Sequence, residues 1–152
     1  MSMELTSPAF DDGDAIPRTY GRREANVNPP LSIDGHPDGT ASLAIVVDDP
    51  DAMEPAGKVW DHWVVWNVAP GETEIPEDWD PAAAGAVEGS NDFGTTGYGG
   101  PDPPDREHSY RFRAYALDAT IDLDAGATKA DLVSAMQGHV LDQAELHGTY
   151  AP

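Results

Sequence analysis

The sequence predicts a mainly β, sandwich-like domain with a helical appendage near its C-terminus, and three observations carry that prediction. Short runs of β-branched and aromatic residues recur along the 152-residue chain. Its 15 Gly and 14 Pro are spread throughout, which suits many short strands joined by turns. The hydrophobic spacing turns helical only after Thr128. No repeat or low-complexity linker interrupts the chain, so residues 1–152 are read as a single domain.

Ser42-Leu43-Ala44-Ile45-Val46-Val47 is a continuous apolar run stopped by Asp48-Asp49-Pro50-Asp51, the pattern of a central strand that delivers an acidic turn to one sheet edge. A second strand is predicted at Trp63–Val68, preceded by Trp60-Asp61-His62. A third runs from Tyr110 to Leu117, with Tyr110, Phe112, Ala114 and Ala116 on one face and Arg111 and Arg113 on the other. Between the last two lies Asn91–Pro104, dense in Gly and Pro. Gly opens left-handed backbone while Pro fixes φ, so this loop is specified, not floppy. Thr128 with Asp131 forms a helix-start signal, and Leu132, Met136 and Val140 follow at spacing four. The helix is expected to break at Gly138 and resume from Val140 to Leu146.

Charge excludes one class of partner. There are 28 Asp and Glu against 8 Lys and Arg, a formal charge of −20, and Asp contributes 19 of the acids. Phosphate backbones require clustered cations, so no nucleic-acid partner is expected. Self-repulsion on so small a domain is screened at molar salt, where the Debye length is about 3 Å. The composition is read as that of a halophilic protein of haloarchaeal type, with an acidic surface; the blander reading is an ordinary acidic mesophile protein, and a higher melting temperature in molar KCl than in dilute buffer separates the two. Without cysteine there is no disulfide, thiolate metal site or cysteine nucleophile. The N-terminal residues show no secretory pattern and no run is long enough to span a membrane, so a cytoplasmic location is expected.

Three stretches carry a resemblance. They are Asp49-Pro50-Asp51, Trp60-Asp61-His62-Trp63-Val64-Val65-Trp66-Asn67, and Asn91-Asp92-Phe93-Gly94 through Gly97-Tyr98-Gly99-Gly100-Pro101 and Pro103-Pro104 to His108 and Tyr110. Together they resemble the phosphatidylethanolamine-binding protein family, in particular its prokaryotic YbhB/YbcL-type, Raf kinase inhibitor-like branch. Ser7-Pro8-Ala9-Phe10, Ile16-Pro17-Arg18, Asn28-Pro29-Pro30-Leu31 and Gly138-His139-Val140-Leu141 extend the likeness over nearly the whole chain. The resemblance implies a large sheet packed on a smaller one with C-terminal helices. It also implies a surface pocket for phosphate, phosphoryl-ethanolamine or acetate, walled by Asp49, Asp51, Trp60, His62, Gly100, Pro101, His108 and Tyr110. Relatives include homodimers, which makes a homodimer the expected assembly. No cofactor is implied.

Imidazole N–H, phenolic O–H and free backbone N–H groups are the donors an oxyanion needs, and Asp49 or Asp51 could fix a histidine tautomer. Blander readings stand beside this one. His62 between tryptophans could be a core histidine, Tyr110 a core residue, and the acidic turn a strand terminator. Met53 departs from the proline common in the family at that point, and Asp102 adds a negative charge beside the expected anion. Three function classes follow: a non-enzymatic anion- or head-group-binding module with a regulatory role; an enzyme using the His, Asp and Tyr groups in acid–base or metal-assisted chemistry; and an inhibitor that contacts a protein partner outside the pocket. The sequence has neither H-x-x-H nor G-x-S-x-G to favour catalysis.

Overall fold

Residues 2–152 are described by a computed structural model. At its centre runs β3 (Ser42–Asp49), buried along its whole length because both faces are covered. Leu43, Ile45 and Val47 point into one core with Trp63, Tyr110 and Phe112. Ala44 and Val46 point into a second core with Trp66, Tyr115 and Leu132. Two-sided burial explains why this strand reads as continuous apolar sequence and not as an alternation.

The larger sheet is antiparallel, with β4 (Trp60–Val68) and β7 (His108–Leu117) on either side of β3. Beyond them lie β6 (Val87–Glu88) next to β4, and β8 (Val140–Tyr150) next to β7. A smaller sheet, β1 (Glu4–Thr6), β2 (Leu31–Asp34) and β5 (Glu74–Ile75), packs against the first core. Two helices accompany the sheets: the four-residue α1 (Met53–Ala56), after the acidic turn, and α2 (Lys129–Met136). The Thr128 hydroxyl accepts from the Asp131 N–H while Asp131 accepts from the Thr128 N–H, the reciprocal cap expected for α2. Among the described residues no helix is long and apolar enough to cross a membrane.

Two local features position the site. Val47 pairs with Trp63 but Asp48 pairs with Asp61, so His62 is an extra residue on β4. Such a bulge breaks strict alternation. His62 therefore leaves the α2 face, where its even-numbered neighbours Val64 and Trp66 lie, and meets Tyr110 edge-on at 5.2 Å. Gly100 is the second feature: a Cβ there would stand 2.2 Å from the Tyr20 carbonyl oxygen. Only glycine lets the Gly/Pro loop close against the 20–22 segment.

The tail differs from expectation. Val140–Leu146 is not helix but the first part of β8, in register with β7 from Leu117↔Val140 to His108↔Tyr150. Gly138 takes φ 81° and turns the chain. After it the buried positions are Ala144, Leu146, Gly148 and Tyr150, a period of two. Val140, which continued the helical spacing, is exposed. A long antiparallel ladder outweighs a marginal four-residue repeat, so α2 is followed by the final strand and not by a further helix.

Candidate functional site

A cavity of about 170 Å³ opens where the ends of β3, β4 and β7 meet α1 and the Gly/Pro loop. Asp49, Trp60, His62, His108 and Tyr110 all line it. Two stretches of chain about 46 residues apart thus share one recess, and the His62 and His108 rings flank Tyr110 at 5.2 and 6.3 Å. Three of the expected wall residues are elsewhere. Asp51 turns outward, where its carboxylate accepts from the Ser109 N–H at 2.8 Å and ties the acidic turn to β7. The Gly100 N–H donates to Asn26 Oδ1 at 2.8 Å, and the Pro101 carbonyl accepts from the Arg22 N–H at 3.0 Å. These residues fasten the loop and offer the cavity no free donor.

The two histidines differ in charge state. His62 donates Nδ1–H to the Gly99 carbonyl at 2.7 Å, and burial holds its pKa below the ordinary imidazole value. It is neutral, with Nε2 left as an acceptor. His108 instead has a carboxylate at each nitrogen: Asp49 Oδ2 at 2.6 Å from Nδ1 and Asp105 Oδ1 at 2.7 Å from Nε2. Carboxylates only accept, so both ring nitrogens must donate and His108 is an imidazolium. Burial opposes that charge, but Asp49 and Asp105 outweigh it and raise the pKa. An imidazole donor directed freely at a ligand, as the sequence suggested, is therefore not present at either histidine.

The donors that remain are a phenol and an indole. The Tyr110 hydroxyl and Trp60 Nε1 are buried and make no hydrogen bond to the described residues. Burial first, then the Asp49 charge, pushes the Tyr110 pKa up, so it stays a neutral O–H donor. The Asp102 backbone approaches closely enough to pull the other way but does not meet hydrogen-bond geometry. An unsatisfied buried hydroxyl costs about 1–3 kcal/mol, which a ligand oxygen would recover.

The rest of the wall is apolar and was only partly visible beforehand. Ala52, Pro55 and Ala56 contribute from the acidic turn and α1, Phe93 and Pro103-Pro104 from the loop. Met53, where a family proline was expected, is exposed and does not line the cavity. Asp102 does line it, but its carboxylate is held by Arg23 at 2.9 Å and Arg22 at 3.6 Å. Asp105 escaped the sequence reading because it fell among unspecified loop positions; its spacing three before His108 was the available signal. No group of three or more His, Asp or Glu is arranged to hold a metal ion among the described residues.

Comparison with known proteins agrees with this architecture. The family profile for the phosphatidylethanolamine-binding protein matches residues 6–151. A UPF0098 protein of Methanothermobacter thermautotrophicus is 48% identical over 151 residues, covering 97% of this chain and 98% of its own. A UPF0098 protein of Pyrococcus horikoshii is 43% identical over 157 residues, covering 99% and 77%. The crystal structure of a phosphatidylethanolamine-binding protein homologue from Chlamydia trachomatis superposes with a TM-score of 0.91 at 40% identity, covering 98% of this chain and 97% of that one. Escherichia coli YbcL superposes at 0.89 with 32% identity, covering 99% and 98%. The chain belongs to the phosphatidylethanolamine-binding protein family.

Proposed function

We propose that this protein is a non-enzymatic binding module whose cavity takes a small ligand with a compact oxyanion head, such as phosphate or a phosphoryl-ethanolamine group, and a modest apolar portion. The carrying observation is the buried, unpartnered Tyr110 hydroxyl beside the His108 imidazolium. One supplies an unused donor and the other an imidazolium already matched by Asp49 and Asp105, while Trp60, Phe93 and the paired prolines offer an apolar wall. Recognition must be local. Four of the eight cations, Arg22, Arg23, Lys58 and Arg106, are already engaged by acids: Asp102, shared by the first two, Asp92, and Glu54. A regulatory role in the cytoplasm, through ligand-dependent contact with a protein partner, extends the same reading by family analogy.

Catalysis is the weaker reading. A raised pKa with both nitrogens donating makes His108 a poor base near neutrality. His62 Nε2 keeps a lone pair, but a neutral acceptor alone does not make a reaction.

Titration calorimetry with inorganic phosphate and phosphoryl-ethanolamine in molar KCl tests the proposal. Tyr110→Phe should weaken phosphate binding about tenfold, the loss of one hydrogen bond to a charged ligand. Equal affinity in the variant and the native protein would refute the assignment of this cavity.

A further inference from the structure

Asp105 is out of keeping with its surroundings. It sits in the bend between Pro104 and Arg106, with its side chain about a third exposed, yet its carboxylate makes a 2.7 Å contact with a histidine that is 1% exposed. His108 Nδ1 is already held by the buried Asp49 carboxylate at 2.6 Å, so its charge and orientation need no second acid. Pro104 and His108 line the cavity, and Asp105 follows Pro104 directly in the chain, next to that lining but not part of it. Of the two imidazolium donors, Nε2–H is the one held by a partly exposed carboxylate of the chain's own loop.

We propose that Asp105 is a tethered competitor, an internal carboxylate on His108 Nε2 that an incoming oxyanion displaces. This inference rests on the cavity being the oxyanion site proposed above. A tethered group acts at an effective concentration of the order of millimolar or more. Asp105 therefore sets a threshold that every oxyanion competing for Nε2 meets by the same factor. A phosphate carries a second charge and further oxygens, so one oxygen replaces Asp105 while another reaches the Tyr110 hydroxyl. The latch weakens both kinds of ligand alike, and the preference for phosphate comes from its second contact. Displacement is cheap on the Asp105 side because that carboxylate returns to water, whereas Asp49 could not leave its buried position. The lowered pKa of Asp105 agrees: desolvation opposes its charge, but the His108 contact and backbone N–H groups together outweigh it, and the carboxylate stays ionised.

Calorimetry in molar KCl on the native protein, Asp105→Ala and Glu107→Gln gives the test, with inorganic phosphate and acetate as probes. Glu107 is an exposed acid two residues on, and controls for removal of one negative charge. Asp105→Ala should tighten phosphate about fivefold, the scale of a partly exposed ion pair. It should tighten acetate by the same factor, because both probes displace the same carboxylate. Glu107→Gln should change neither. In the native protein, saturating phosphate should move the Asp105 side-chain carboxyl and His108 Nε2 resonances together.

Equal gains in Asp105→Ala and Glu107→Gln would reduce the effect to net charge and overturn the latch. So would an unchanged affinity in Asp105→Ala, and if Tyr110→Phe still weakened phosphate the cavity assignment would survive. Absence of phosphate binding to both the native protein and Asp105→Ala would overturn the latch and the cavity assignment together.

Discussion

Asp48 and Asp49 are consecutive residues of β3, buried to 0% and 3% exposure, and they face opposite sides of the same sheet. Asp48 points towards α2 and is closed by cations. It accepts from Arg111 at 2.8 and 3.0 Å, from Arg113 at 2.8 Å and from Lys129 at 3.2 Å. Lys129 is shared with Asp61 at 2.7 Å. Asp49 points towards the cavity. One oxygen accepts from the Asp51 N–H at 2.9 Å, and the other holds His108, whose far nitrogen reaches an exposed side chain. Three of the chain's eight Lys and Arg are thus committed to one carboxylate, and none of them to its neighbour. The saturated side behaves as structure; the side left with a titratable and displaceable partner is where a ligand can act.

The largest effect expected from this contrast is on stability. Burial by itself would raise the Asp48 pKa, but Arg111, followed by Arg113 and Lys129, pulls it below the ordinary carboxylate value. Asp48→Asn leaves three cations around a neutral group, and removing one partner from a buried network costs about 3–5 kcal/mol. Denaturant unfolding at fixed KCl checks this; a loss under 1 kcal/mol would mean the cluster is solvated and the contrast false. A depressed carboxylate pKa contributes stability above the unfolded-state value and loses it as pH falls through the folded one. Asp48→Asn should accordingly flatten the acid limb of the stability profile.

Asp49→Asn should be milder, about 1–2 kcal/mol, because the amide oxygen can still cap the acidic turn and the lost partner is a single histidine. Its diagnostic change is elsewhere: the His108 pKa should drop towards the ordinary value, read from imidazole resonances. If that pKa stayed raised, Asp105 alone would be holding the charge, and Asp49 would have no part in preparing the site.

Most of the architecture could be read from sequence because it follows from short-range rules. β3 is a two-sided apolar run, β7 alternates, and the Thr128–Asp131 cap starts α2, each a pattern contained within about ten residues. The tail could not be read that way. Val140 and Leu141 look like a continuing apolar stripe, and only the ladder with β7, where Val140 pairs with Leu117, makes them strand. In the site, the motif stretches placed Asp49, His62, His108 and Tyr110 near one another. They did not disclose hydrogen-bond direction, which depends on the bulge at His62 and on which loop acid meets His108. Asp51 and Gly100 show the same limit, since both spend their hydrogen-bonding capacity fastening a loop, and spacing alone does not tell that use from a ligand contact.

The smallest signal is also the sharpest comparison, between the two histidines on one cavity. His62 has a lowered pKa, so the unfolded chain binds its proton first as pH falls below about 6.5. It subtracts stability over that interval, down to the folded value. His108 has a raised pKa, so its contribution is complete below about 6.5 and disappears as pH rises through the folded value. The two slopes occupy adjoining windows, His62 below about 6.5 and His108 above it, so their combined contribution to the native profile should peak near that pH. His108→Gln removes one slope and should leave stability rising with pH, while His62→Gln should leave it falling. Resonances of both imidazoles titrating together near pH 6.5 in the native protein would show that neither environment is as drawn, and that the cavity holds two ordinary solvated histidines.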